Sequence, residues 1–340
     1  MLPIGLAATQ TKLPTPKPCD ATLLTLSGPQ VQPLLNPGDV LEAVREAFVL
    51  HSEGKGRVFP VVRERLDTGG IFGIKSGDVQ SEALLGFKAA GFWHSNRIVG
   101  GEPHQATIML FDPASGRPTC IVDGNAITTA RTGAAGRLGI ETLARADSKR
   151  ICVFGTGVQA RVQLDLALDL LSQTKTVRYV TSHGNPDANF EAAFAGRCAL
   201  IHATDPDEAV SESDIVITAT PGGGPLFSAD AVKPGTHINA VGADTRGKRE
   251  LAEGILQRAR LFVDDREQSR QIGEGQWGRG VGEEVEIGSI LTGDVVISRK
   301  PDDITIFDMT GLALQDLTVG RMLYQRAIKG GHGTQIAWPW

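Results

Sequence analysis

Residues 150–160, Arg-Ile-Cys-Val-Phe-Gly-Thr-Gly-Val-Gln-Ala, decide how the rest of the chain is read. The apolar run Ile151 to Phe154 leads straight into Gly155-Thr156-Gly157-Val158-Gln159-Ala160, a G-x-G-x-x-A turn, and an apolar-periodic helix follows to Leu171. Strand, glycine turn and helix in immediate succession suit a dinucleotide phosphate. Gly155 permits the tight turn, Gly157 lets backbone approach the pyrophosphate, and the free N–H groups of the helix N-terminus face the charge. The alternative is a glycine turn in a sheet domain that binds no cofactor.

Downstream the pattern repeats. VRYVT, CALIHAT, DIVITAT, THINAVG and RLFVDD alternate with helical stretches and, with RICVFG, make six strands. Such alternation predicts a parallel, doubly wound sheet covered on both faces. ITIFDMTG is one more strand, and the helix LALQDLTVGRMLYQRAI is expected to pack back on the N-terminal part. Upstream, Pro37 to Leu50 has helical spacing. RVFPVV, GIFGIK, LLGFKAAGFW, ATIMLFD and TCIVD read as strands, and Ile127 to Arg145 as a helix. The first twenty residues carry four prolines and read as a surface tail or arm.

At about 150 residues per domain, 340 residues imply two domains. Lys and Arg total 34 against 39 Asp and Glu, a net charge of −5, so no basic excess is available for a nucleic-acid backbone. No apolar stretch is long enough to span a bilayer and no secretory leader is legible, so a cytoplasmic location is expected. The cysteines Cys19, Cys120, Cys152 and Cys198 lie far apart, which indicates neither a zinc site nor a disulfide framework, and Cys152 and Cys198 read as buried. The seven histidines show no metal-ligand spacing, so no metal is expected. A G-x-S-x-G elbow is also missing.

Between Lys75 and Arg131, cations sit in apolar or glycine-rich surroundings: Lys75, Lys88, His94, His104 and Arg131. Burying a cation is costly without an anion, so together they suggest a carboxylate pocket; singly, each reads as a surface or structural charge. Asp244 follows the fifth strand of the parallel sheet, where strand ends face the cofactor crevice. It suits proton transfer or stabilisation of an iminium cation, or else caps the segment behind it. Ser182 and His183 end the second strand without the carboxylate that grips an NAD ribose, which leaves NAD against NADP open with a lean to NADH. Thr220, Pro221 and Val241, at the ends of later strands, complete the expected cofactor contacts.

The strings PHQATIMLFDPASGRPTCIVDGNAITTARTGAAG, GTGVQAR, DIVITAT, KPGTHINAVGAD and FDMTGLALQD resemble the ornithine cyclodeaminase/mu-crystallin family over residues 40 to 328. The resemblance implies a Rossmann domain (131–311) inserted into an α+β substrate-binding and dimerisation domain (1–130 plus 312–340), in a homodimer. It implies that Lys88 and Arg131 hold the substrate carboxylate near the reacting carbon, with Lys88 a catalytic residue beside Asp244, and that Thr107 is a polar contact in the same pocket. Asp244 matches the carboxylate that cyclodeaminases use in catalysis and that mu-crystallins lack, and Thr310 and Gly311 match a loop beside the nicotinamide. The pocket arginine is placed at Arg63, with Arg57 and Arg65 as alternatives. Lys75, thirteen residues before Lys88, resembles the branch that reduces small imino acids, and Lys75 or a nearby histidine (His94 or His104) would grip a second carboxylate. The expected activity is NAD(P)H-dependent reduction of a 2-imino acid, best matched by iminosuccinate to L-aspartate. Ornithine or lysine cyclodeamination, alanine dehydrogenation and turnover-free NADPH/ligand binding are the alternatives.

Overall fold

The computed structural model describes residues 21–278 and 282–338; the N-terminal tail and Cys19 lie outside them. In chain order the elements are β1 (Thr22–Leu26), α1 (Gly28–Val31), α2 (Pro37–Ser52), β2 (Gly56–Val58), β3 (Val62–Arg65), β4 (Ile71–Val79), β5 (Leu84–Phe92), β6 (His104–Phe111), β7 (Pro118–Asp123) and α3 (Gly124–Leu143). Then come β8 (Ile151–Phe154), α4 (Val158–Leu170), β9 (Thr176–Val180), α5 (Ala188–Ala193), β10 (Ala199–His202), α6 (Pro206–Ser211), β11 (Ile215–Thr218) and β12 (His237–Ala240). The chain closes with α7 (Ile255–Arg258), β13 (Ala259–Val263), α8 (Arg266–Ile272), β14 (Val285–Glu286), α9 (Ile287–Leu291), β15 (Ile304–Asp308), α10 (Ala313–Gly330) and β16 (Thr334–Ala337).

These strands form two sheets. The second runs β10-β9-β8-β11-β12-β15-β13-β14, parallel throughout. Its first five strands follow the 3-2-1-4-5 order of a doubly wound nucleotide fold. The seventh strand read from sequence, ITIFD, is inserted between THINA and RLFV rather than added at an edge. Alternate residues serve opposite faces: Ile151, Val153, Ile215 and Ile217 join the core under α4, while Cys152, Phe154 and Val216 join the other. A sheet buried on both faces must be apolar at every position, which explains its unbroken aliphatic runs.

The first sheet is mixed, in the order β16-β1-β7-β6-β5-β4-β2, with β3 also pairing β4. The run RVFPVV, read as one strand, is split into β2 and β3 around Pro60, which has no N–H for a ladder. α2, α3 and α10 cover one face of this sheet in a common core with Ile108, Leu110 and Val122. The C-terminal helix therefore packs back as expected.

Helix α3 is tied to both layers. It starts directly after β7, where Asp123 caps it by accepting from Asn125 N at 2.9 Å. Its stripe of Gly133, Gly136 and Gly139 lets α4 and the parallel sheet approach closely: a Cβ on Gly136 would lie 1.8 Å from Gln163 Oε1. Some of the chain's 41 glycines therefore serve helix packing rather than turns. Cys152 is buried as expected, whereas Cys198 is only half-buried because it precedes the outermost strand, β10. Among the described residues no helix is long and apolar enough to cross a membrane.

Candidate functional site

The glycine turn sits at the carboxyl end of β8. Gly155 has φ +96°, and a Cβ there would meet Ala219 O at 2.7 Å, so conformation and space both demand glycine. Gly157 and Val158 are exposed, and no side chain caps the first turn of α4. The helix amides are therefore open to an anion, and nothing lies within 4 Å of where a Gly157 Cβ would stand. Buried beside them, Gln159 Oε1 has no partner. This cradle fits a dinucleotide pyrophosphate.

Of the other expected cofactor contacts, Ser182 and His183 are exposed just beyond β9, and Pro221 is exposed beyond β11. Val241 is half-buried beyond β12. The Thr220 hydroxyl is already committed to Glu250 Oε1 at 2.6 Å. Thr310 and Gly311 are buried beyond β15. The Thr310 hydroxyl donates to Asp264 Oδ1 at 2.6 Å and Gly311 N donates to Asp264 Oδ2.

The expected cations converge at the same end of the parallel sheet. Lys75 on β4 is paired in register with Lys88 on β5, an arrangement that is repulsive unless something compensates it. The compensation comes from the start of α10. Lys88 Nζ lies 2.7 Å from Asp316 Oδ2, and Arg131 Nε donates to Asp316 Oδ1 at 3.1 Å. Arg131 Nη1 also donates to Gln315 Oε1 at 3.2 Å. Lys75 Nζ instead donates to the carbonyls of Thr310 (2.6 Å) and Gly311 (2.8 Å). Gly311 has φ +84°, and a Cβ there would meet Arg131 Nη1 at 2.7 Å.

Arg63 on β3 is the arginine brought to the site. Its Nη2 donates to Asp244 O at 3.1 Å and Oδ2 at 3.2 Å, while its buried Nε has no partner. The alternatives lie elsewhere: Arg57 forks onto Asp78 on the neighbouring strand, and Arg65 is exposed. Asp244 also accepts from Lys248 Nζ at 2.7 Å.

Electrostatics follow from this packing. Burial, then the charges of Arg63, Lys88 and Arg131, pull Lys75 from 10.5 down to about 7. Burial and Arg131 pull Lys88 to about 8, against the attraction of Asp316. Burial opposes ionisation of Asp244, but Lys248, Arg63 and Lys75 outweigh it and hold the carboxyl well below the usual range. Asp316 is likewise lowered, with Arg131 and Lys88 overcoming its burial. His104 joins the cluster through Asn125 Oδ1 at 3.1 Å, and burial and Lys88 lower its pKa.

Two expected residues are not in the cluster. Thr107 pairs with Ala89, one position out of phase with the Lys88–Ile108 pair, so it stands exposed on the opposite face of the sheet. The sequence placed it in the pocket by resemblance, and strand alternation overrules that. His94 is exposed, its ring 4.7 Å from that of Phe92.

Sequence reasoning missed Asp316, Gln315, Asp264 and Lys248. The first two lie inside the quoted string FDMTGLALQD, but an acid in a helix's first turn reads as a partner of the helix dipole. Also missed were Asp308 and Glu274, buried acids behind Asp264, with pKa values raised to about 7 and about 8 by burial first. As for metals, the one His–carboxylate group found among the described residues is His51, Asp265 and Glu286, where His51 Nε2 lies 2.9 Å from Asp265 Oδ2 as an ion pair.

Comparison with known proteins gives a consistent picture. A sequence profile of the ornithine cyclodeaminase/mu-crystallin family matches residues 24–331. The chain is 33% identical to the iminosuccinate reductase of Paracoccus denitrificans over 92% of this chain and 99% of that protein. The structure of that enzyme with NAD+ superposes with a TM-score of 0.83 at 31% identity, covering 93% and 99% of the two chains. An archaeal alanine dehydrogenase dimer with bound NAD gives 0.85 at 31% identity, covering 93% and 99%. The Thermococcus litoralis Δ1-pyrroline-2-carboxylate reductase, in complex with NADH and L-proline, gives 0.85 at 28% identity, covering 92% and 100%.

Proposed function

The chain belongs to the ornithine cyclodeaminase/mu-crystallin family, and from that membership and the cation cluster we propose that it is an NAD(P)H-dependent reductase of a small 2-imino acid, with iminosuccinate giving L-aspartate as its reaction. The charge count carries the choice of substrate. Arg63, Lys75, Lys88, Arg131 and Lys248 stand against Asp244, Asp264 and Asp316, which leaves two positive charges in excess when all are ionised. A substrate with two carboxylates balances that excess, whereas ornithine, with an ammonium tail, adds to it.

In this reading Arg131, Lys88 and the unpartnered Nε of Arg63 bind the substrate carboxylates, and the cradle at Gly155 to Gln159 holds the dinucleotide. A nicotinamide bound there supplies the hydride. Asp244 stays charged beside the imine, favouring the iminium form, which accepts hydride far more readily than the neutral imine. NADH is the favoured cofactor, because the NAD+ and NADH complexes of the similar proteins accord with the lack of an arginine next to Ser182 and His183.

Residues 1–130 with 312–340 then serve substrate binding and dimerisation, and 131–311 the nucleotide, with α3 crossing the boundary. Support for a homodimer comes from the archaeal neighbour and from the sheet face opposite α10, which no element among the described residues covers and where Ile74, Leu85, Phe87, Met109 and Phe111 stand half-exposed around Thr107. A cytoplasmic location accords with unpaired Cys120, Cys152 and Cys198. The test is to follow nicotinamide absorbance with oxaloacetate plus ammonium, pyruvate plus ammonium, and L-ornithine. NADH oxidation fastest with oxaloacetate is expected. Proline formation from ornithine, without oxidation in either keto-acid arm, would overturn the reading.

A further inference from the structure

The second strand of a nucleotide-binding sheet ordinarily ends in the acid that grips the adenosine ribose, whereas β9 runs into Ser182 and His183. The segment beyond β9 doubles back. The Thr181 hydroxyl donates to Asn185 O at 2.8 Å, and Asp187 N donates to the Tyr179 hydroxyl at 3.1 Å. Tyr179 is a buried residue of β9, so Asp187 returns to the strand that the chain has just left. Arg161 ties this point to the glycine turn: its Nε donates to Thr156 O at 3.1 Å and its Nη1 to Asn189 O at 3.0 Å. One guanidinium therefore spans from the residue between Gly155 and Gly157 to the first turn of α5.

We propose that Asp187 is the specificity-determining residue for the cofactor: its carboxylate accepts a hydrogen bond from the adenosine 2′-hydroxyl of NADH and repels the 2′-phosphate of NADPH. This rests on the reductase reading above, and it supplies from another position the acid that the end of β9 lacks.

The surroundings of Asp187 suit that role. Its Oδ1 accepts from Phe190 N at 2.9 Å, which caps α5, and the Thr156 side chain faces the carboxylate from the turn. A carboxylate has roughly four acceptor sites, so room remains for a ribose hydroxyl. Asp187 is half-buried and so within reach of a ligand. The cation that faces it, Arg161, is committed to two carbonyls and lies over the Phe190 ring at 5.5 Å, so the negative charge is not cancelled. Hydrogen bonding from Thr156, then from Phe190 N, holds the carboxyl below its usual range and keeps it ionised at neutral pH. Ser182 and His183 carry no negative charge and would serve either cofactor alike. His183 is also turned onto its own loop, where Nδ1 accepts from Asn185 N at 3.2 Å.

The test is cofactor binding to the full chain, followed by fluorescence titration with NADH and with NADPH, which needs no imine. Asp187→Asn keeps a good capping residue and removes the charge. D187N is expected to weaken NADH binding about tenfold or more, while NADPH binds as before or more tightly. Asp187→Ser, also a capping residue, should likewise erase the preference for NADH. Equal weakening of both cofactors would make Asp187 a brace of the loop and overturns the proposal, as does an unchanged NADH-to-NADPH ratio. Replacing Ser182 and His183 together by Ala should move that ratio by less than about twofold. A ratio that follows this pair rather than D187N also overturns the proposal. Wild-type protein that binds neither cofactor overturns the functional reading together with this one. If the ratio responds to D187N but no imine is reduced, only the functional reading falls.

Discussion

The glycine turn and the cation cluster lie at the same end of the parallel sheet, yet they are built in opposite ways. The turn is contiguous: residues 155–160 supply the tight bend, the open backbone and the helix amides. The cluster draws on β3, β4, β5, α3, the segments after β12, β13 and β15, and α10, and most of its charges are balanced only by residues far away in sequence. Damage to the turn should therefore stay local, whereas damage to the cluster should spread into stability.

The strongest test of that difference is Asp316→Ala. It strands Lys88 and Arg131 in a buried site, and a loss of about 3–5 kcal/mol is expected in urea denaturation. A cost below about 1 kcal/mol would show that the cluster is not interdependent. Asp244→Asn, on a carboxylate about a third exposed, should separate chemistry from folding. Turnover is expected to fall about 100-fold while NADH affinity, read by fluorescence titration, stays unchanged. Equal losses of both would make Asp244 a structural residue.

Gly155→Ala probes the turn. The positive φ and the contact with Ala219 O should cost about 1–3 kcal/mol and weaken NADH binding at least tenfold, without lowering the kcat reached at saturating NADH. A fall in that kcat would show that the two regions are coupled. The smallest effect is expected for His51→Gln, a long-range ion pair outside the crevice. Burial opposes the charge on His51, but Asp265, Glu286 and Asp264 outweigh it and raise its pKa above 6.5. The pair therefore stabilises the fold fully below pH 6.5 and progressively less as pH rises through the raised value. The variant should lose roughly 1 kcal/mol in acid and converge with wild type in alkali; a difference independent of pH would mean that packing, not charge, is at stake.

How much of the site could be read from sequence follows from where each contact comes from. The parallel strands were legible because burial on both faces writes unbroken aliphatic runs. Lys75, Lys88 and Arg131 were legible as cations in apolar company. Thr107 was misplaced because its pocket role rested on resemblance, and a single-residue phase relative to Lys88 sends a strand side chain to the other face. Asp316 went unseen because nothing local marks an acid in a helix's first turn as the counter-ion of residues more than 180 positions away.

By itself, then, the sequence determined the elements whose physics is local: a strand, a turn that only glycine can make, and a helix whose first amides await an anion. The order of the strands, with ITIFD between β12 and β13, was settled by packing. So was the facing of Lys75 and Lys88 across one ladder. Those two lysines differ only in what α10 and the turn before it bring to them, a carboxylate for one and two carbonyls for the other. Protonation of a buried amine depends on the charges within a few ångströms, and their identity is fixed by tertiary folding.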